Sequence, residues 1–145
     1  MIAENRFNVR VYGIVKNDQG EVLISDECRH GNSFTKFPGG GLEWNEGLTD
    51  CLIRELKEEL NIDATLGELF YVNDFYQPSA FRKTDQLISF YFDVKEYVGD
   101  IFESNHAVPV TEEGEKFRWV KIEDLNEEMM TFPIDKIVAE KLRTS

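Results

Sequence analysis

Cysteine is nearly absent: Cys28 and Cys51 are the only two in 145 residues. No CxxC or paired His/Cys spacing occurs, which excludes the usual structural zinc patterns. Cys51 lies within a helical stretch and reads as a small buried residue rather than a disulfide partner. Histidine is as scarce, with only His30 and His106, both in polar segments and neither given a role. No run is apolar or long enough to cross a bilayer, so no membrane partner is expected. The opening MIAENRFNVRV lacks a charged-then-apolar leader, and a cytoplasmic location is the expectation. Positive charge is in deficit, 16 Lys and Arg against 28 Asp and Glu, for a net charge of −12. That balance argues against a nucleic-acid polymer as a standing partner. A small phosphorylated substrate stays compatible, because divalent cations held by glutamates invert the local field. No repeat, linker or low-complexity tract interrupts the chain, and its length suits one domain over residues 1–145. The D-x-[DN]-x-[DN]-G loop of a calcium-binding hand is missing as well.

What the chain has in quantity is acid on one helix. From Gly40 to Ile62 it reads GGLEWNEGLTDCLIRELKEELNI. Glu55, Glu58 and Glu59 fall at i, i+3 and i+4 and share a face. Such like charges weaken an isolated helix by a few tenths of a kcal/mol per pair, roughly, and a bound cation reverses the sign. Leu48, Leu52, Leu56 and Leu60 recur every fourth residue and form a core stripe. Arg54 lies four residues before Glu58, within reach of a side-chain pair, and its fork can fix a carboxylate in place. The turn Pro38-Gly39-Gly40-Gly41 precedes the helix, and glycine there lets the backbone approach a metal or a phosphate. So many carboxylates around one point suit hard metal ions held against phosphate oxygens. Glu43, Glu68, Glu123, Glu127 and Glu128, by contrast, read as solvated surface acids.

This run resembles the Nudix box, G-x5-E-x7-R-E-U-x-E-E-x-G-U, where U is aliphatic; Gly40, Glu46, Arg54, Glu55, Leu56, Glu58, Glu59 and Ile62 match. Asn61 stands where the family has the glycine that closes the helix in a left-handed conformation, and asparagine is the next most tolerant residue there. Asn45 stands where glycine is common before the first glutamate. The resemblance implies the Nudix fold, an α/β/α sandwich with a mixed β-sheet. Periodicity alone gives only α/β or α+β in one domain. The resemblance also implies Mg2+, with Mn2+ as a substitute, and cleavage of a phosphoanhydride in a nucleoside diphosphate linked to another group. ADP-ribose, another nucleotide sugar or a nucleoside triphosphate are the substrate types. Relatives are often homodimers. The rival reading is a Nudix domain that senses a nucleotide without cleaving it.

On that reading Glu55, Glu58 and Glu59, with the carbonyl of Gly39, are the metal ligands, and Arg54 belongs to the catalytic set. Glu46 either ligates, holds a water, or supports the first turn of the helix. The general base is Glu58 or Glu59 directly, or Glu113 in the loop before Phe117-Arg118-Trp119-Val120; Glu112 and Glu115 are less favoured. Gly40 and Glu46 join the substrate site. Arg29 and Lys36 flank the loop that feeds the glycine turn, and either could hold a phosphate; Arg10, Arg82 and Lys83 are the other basic groups. Phe34, Trp44, Tyr76, Phe81 and Phe132 are aromatic candidates for base recognition, Tyr76 and Phe81 foremost, although core packing is the commoner fate of any one of them. Tyr76 and Pro78 sit where subfamilies carry conflicting substrate markers.

Along the chain, Phe7–Lys16 and Glu21–Ser25 read as strands about the turn Asn17–Gly20. Residues 26–36 read as a polar loop and Glu46 to Leu60 as the box helix. Ala64–Tyr76 and Leu87–Glu96 read as strands joined by a loop, Phe117–Ile122 as a short strand, and Ile134–Leu142 as a closing helix with Pro133 at its start.

Overall fold

Strand-forming Val, Ile and Tyr open the chain, and strands outnumber helices along the rest of it. In the computed structural model, which describes residues 4–145, the order is β1 (Arg6–Ile14), β2 (Glu21–Arg29), β3 (Asn32–Lys36), β4 (Gly39–Gly41), α1 (Leu48–Leu60), β5 (Asp63–Val72), β6 (Asp85–Val98), β7 (Gly114–Lys121) and α2 (Pro133–Thr144). Two single-turn helices, Ile122–Asp124 and Glu127–Met129, precede α2. Among the described residues no helix is long and apolar enough to cross a membrane. The first three residues of the N-terminal stretch, read for a leader, lie outside the described part.

The chain divides into two compact units, residues 1–13 with 39–99 and residues 14–38 with 100–145. The first carries a sheet in the order β4-β1-β6-β5. β4 runs antiparallel to β1, and β5 antiparallel to β6. Arg6 pairs with Asp85 at one end, and a Cβ on Gly13 would lie 3.3 Å from Val94 at the other. β1 and β6 therefore run the same way, and the sheet is mixed. That same Cβ would touch Leu52 and Leu56 at 3.5 Å, so α1 packs directly on β1. Cys51, Leu52, Leu56 and Leu60 are the buried face of α1, while Leu48 is only half-buried.

The helix begins at Leu48, two residues later than Glu46. Asn45 takes a left-handed φ of 67° and turns the chain off any helical path. Gly47 then caps α1, with its N–H donated to Asp50 Oδ2 at 3.3 Å. Glu46 is thus placed by a loop rather than by the helix.

The second unit carries the antiparallel sheet β3-β2-β7. Residues 26–36, expected to form a loop, instead complete β2 and form β3. His30 and Gly31, at φ 52° and 79°, make the tight turn between them. Polarity concealed these strands because Asp26, Glu27, Thr35 and Lys36 are polar yet buried, each against a partner. Ile134, Val138, Ala139 and Leu142 bury one face of α2, and Pro133 occupies its first turn.

Candidate active site

Two glycines shape the floor of the box. Gly39 pairs with Tyr12 across β4 and β1 and holds a φ of 145°. A Cβ there would lie 2.2 Å from the Val11 carbonyl oxygen and 2.7 Å from Tyr12 Cα, so only glycine fits. Gly40 is open for a different reason. Its Cβ would meet the Glu55 carboxyl group at 2.5–2.7 Å. Glu55 rests in the space that Gly40 leaves.

Arg54 organises the carboxylates around this floor. It donates through Nε to Glu46 Oε2 at 2.9 Å and through Nη2 to Glu46 Oε1 at 2.7 Å, a two-pronged fork. Nη1 donates to Glu55 Oε1 at 3.0 Å and to Glu58 Oε2 at 3.2 Å. Nη2 also reaches the Gly41 carbonyl at 3.3 Å, and Glu43 lies 3.8 Å from Nη1. The fork, with the Glu43 N–H as a second donor, holds Glu46 down to about 2. The same contacts, the Glu46 bond first, raise the already high pKa of Arg54. Burial pushes the Cys51 thiol up to about 12, which makes it an inert packing group.

Exposure grades the set. Glu46 and Glu55 side chains are 13% and 15% exposed, whereas Glu58 is 59% exposed. Glu59 directs a buried Oε2 inward. Among the described residues no three acidic, His or Cys side chains already form a metal cage; the guanidinium of Arg54 stands where the carboxylates meet. The donor set itself suits a hard cation such as Mg2+, since every side-chain atom offered is a carboxylate oxygen.

The other residues singled out in the sequence are dispersed. Tyr76 and Phe81 lie on the loop between β5 and β6, 67% and 66% exposed. In the second unit Arg29 ends β2, half-exposed and 3.7 Å from Glu27. Lys36 is buried, its Nζ 3.5 Å from Glu27 and 3.6 Å from Glu115. Glu113 Oε1 accepts the His30 N–H at 3.0 Å and so ties down the β2–β3 turn. Phe34 and Phe132 pack against each other with centroids 5.5 Å apart and their rings tilted by 53°.

The second unit also holds a buried polar group that the sequence reading missed. Asp26 accepts from Arg118 Nε at 2.8 Å and Thr35 Oγ1 at 2.8 Å, with His106 Nε2 at 3.0 Å. Burial opposes the charge of Asp26, but the bonds from Arg118, His106 and Thr35 outweigh it and lower its pKa. Glu27 and Glu115 face each other across β2 and β7. Burial, then the neighbouring Glu27, pushes Glu115 up to about 7, while Ser25 donates to it at 2.8 Å. Glu27 feels burial too, but the bond from Glu115 and the charges of Lys36 and Arg29 hold it low. The apolar run Val22-Leu23-Ile24, continued into Ser25-Asp26-Glu27-Cys28 with no glycine or proline before Gly31, was the available signal that this strand runs on.

The Glu115 shift has a testable sign. A carboxyl raised from 4.5 in the unfolded chain to about 7 stabilises the fold below pH 4.5, and the contribution is lost as pH rises through 7. Between pH 5 and 8 the wild type is therefore expected to lose on the order of 1–2 kcal/mol more stability than Glu115→Gln, which keeps a donor toward Glu27 without the charge. Urea unfolding of both proteins across that range measures it; parallel curves would remove Glu115 as the titrating group.

The NUDIX domain profile matches residues 6–141 of this chain. The chain belongs to the Nudix family. It is 31% identical over 113 residues to an 8-oxo-dGTP diphosphatase of Haemophilus influenzae, covering 75% of this chain and 72% of that protein. An RNA pyrophosphohydrolase of Halorhodospira halophila is 40% identical over 62 residues, 43% of this chain and 33% of that one. A solved MutT structure, from work on Aliivibrio salmonicida and Vibrio cholerae, superimposes with a TM-score of 0.71 at 28% identity, covering 95% and 98% of the two chains. The fold is accordingly the mixed-sheet α/β fold of Nudix proteins.

Both departures from the Nudix pattern fall where the backbone is left-handed. Asn61 has φ 55° and ψ 39° and donates its N–H to the Lys57 carbonyl at 3.0 Å, closing α1. Asn45 has φ 67°. Asparagine does here what the family's glycine does, by tolerating αL. Asn61→Gly should leave stability within about 0.5 kcal/mol, whereas β-branched Asn61→Val should cost about 1–2 kcal/mol in urea unfolding. Equal midpoints for Val and Gly would contradict this account of the helix end.

Proposed function

We propose that this Nudix chain is a divalent-cation-dependent pyrophosphohydrolase acting on a nucleoside triphosphate, with oxidised and canonical guanine nucleotides first among the substrates to try. The observation that carries the reading is the Arg54 fork, which gathers Glu46, Glu55 and Glu58, with Glu55 seated in the space that Gly40 leaves. The name of the H. influenzae relative supports the triphosphate over a nucleotide sugar. The profile match runs through both compact units, which supports one Nudix domain.

Glu55, Glu58 and Glu59, with the Gly39 carbonyl, would hold Mg2+ or Mn2+. A bound cation of this kind neutralises phosphate oxygens and acidifies a water. The protein's own part is positioning and proton transfer. Glu46, kept ionised by the fork, anchors Arg54. Arg54 in turn sets where Glu55 and Glu58 stand. Glu58, the most exposed of the three carboxylates that Arg54 gathers, is our choice to take the proton of the attacking water, and Glu59 on the same helix face is the alternative. The net charge of −12 favours a small nucleotide over a polymer. A cytoplasmic setting, where such nucleotides are abundant, completes the proposal.

Product release from a panel tests it: guanine triphosphate, its 8-oxo form, the other triphosphates, ADP-ribose and dinucleoside polyphosphates, each with Mg2+, Mn2+ or chelator. Metal-dependent release of pyrophosphate or phosphate from a triphosphate is the expected result. Cleavage confined to ADP-ribose or another nucleotide sugar would overturn the substrate class. Recovery of every bound nucleotide unchanged would overturn the enzyme.

A further inference from the structure

Beside the box, in the same compact unit, the surface exposes two large aromatic side chains on one groove. Trp44 is 96% exposed and Phe7 68% exposed. They come from different segments, the loop before α1 and the start of β1. Leu42 N–H donates to the Val9 carbonyl at 3.0 Å and fixes those segments side by side. The groove they flank measures about 560 Å³, with Val9 and Leu42 in its lining and Arg6, Asn8 and Glu43 as its polar groups. That is within the range of a small-molecule site. Nothing in the packing of the unit requires an indole in water, and a paired exposed aromatic surface is a common mark of a binding site.

The polar groups select the occupant. Arg6 forks onto Asp85 through Nε at 2.7 Å and Nη2 at 3.1 Å, which leaves the Nη1 N–H groups outside the fork. Asn8 gives one amide N–H to Asp85 at 3.2 Å, which leaves its second N–H as a donor and its carbonyl oxygen as an acceptor. Glu43 has a 67% exposed side chain and, when ionised, only accepts. The groove therefore offers two aromatic side chains, an accepting carboxylate at Glu43, and N–H donors on Arg6 and Asn8. Its complement is a planar ring with adjacent N–H donors on one edge. Guanine has such an edge, N1–H beside the N2 amino group, and one carboxylate can accept both bonds. Adenine, cytosine and uracil do not present two adjacent donors. Glu43 also places the groove next to the phosphate chemistry: its backbone N–H donates to Glu46 Oε1 at 2.9 Å, and its carboxylate lies 3.8 Å from Arg54.

We infer that this groove binds the guanine base of the substrate, with Trp44 and Phe7 stacking on the ring and Glu43 reading its donor edge. The inference rests on the reading of the box as the site of phosphate chemistry, but its test needs no turnover. GMP, AMP and CMP are titrated into the full chain in chelator and followed by NMR. GMP is expected to bind at least tenfold more tightly than CMP. Trp44→Ala should lose tenfold or more in GMP affinity, and the fold is safe because the indole buries almost nothing. Glu43→Gln should erase the preference for GMP over AMP. Equal affinity for the three nucleotides would overturn the inference. So would wild-type GMP binding by Trp44→Ala, including the case where that variant instead turns a dimer into a monomer in sedimentation, which would make the patch a contact between copies of the chain. A protein that binds GMP through Trp44 yet cleaves nothing would sink the hydrolase reading and leave this site standing.

Discussion

Glu58→Gln is expected to lower kcat by about 10²–10³-fold with Mg2+ saturating, while the urea midpoint stays near that of the wild type. The side chain is 59% exposed, so its removal leaves no cavity in the core. Its bond from Arg54 Nη1, at 3.2 Å, can still be accepted by the amide oxygen of glutamine. Shape and local order are thus preserved, and only the charge and the basicity are lost. Those two properties are what cation binding and proton transfer need. Near-normal turnover in Glu58→Gln would show that neither role belongs to this residue, and a large stability loss would show that its role is structural.

Adjacent glycines should fail in opposite ways. Gly39→Ala is expected to destabilise the protein by about 2–4 kcal/mol, because the new Cβ would strike the backbone of Val11 and Tyr12 and the φ of 145° resists any side chain. Backbone within a paired sheet has nowhere to go. Gly40→Ala is expected to change stability by less than about 1 kcal/mol and still to cut turnover by about 10²-fold. There the colliding atoms are the Glu55 carboxyl group at 2.5–2.7 Å, the far end of a flexible side chain. Glu55 swings away, gives up its bond from Arg54, and leaves the cluster. Urea unfolding and turnover of both variants separate the two effects. A Gly40→Ala protein as active as the wild type would mean that Glu55 works equally well elsewhere.

Much of this site was legible in the sequence because its chemistry is local. The spacing of Arg54, Glu55, Glu58 and Glu59 is a helical fact, and the Arg54–Glu58 pair could be read from an i+4 separation. Glu46 was harder. Its place depends on the left-handed turn at Asn45, so a residue counted as helical belongs to the loop and meets Arg54 from outside the helix. Residues 26–36 were misread for a different reason. Asp26, Glu27 and Lys36 are polar by type and buried in fact, and the groups that satisfy them come from far along the chain. His106 is 80 residues from Asp26, and Arg118 is 92. Hydropathy in a short window has no access to such partners. Trp44 carries the same lesson in reverse: an aromatic for which core packing was the commoner expectation is almost wholly in solvent.

The central claim is that the box carboxylates act through a bound divalent cation. The most direct test tracks cleavage of the preferred triphosphate by the wild-type protein through three additions: Mg2+, then excess chelator, then Mg2+ restored. The account predicts that cleavage starts with the metal, stops with the chelator and returns with the metal. Undiminished cleavage in chelator would contradict it.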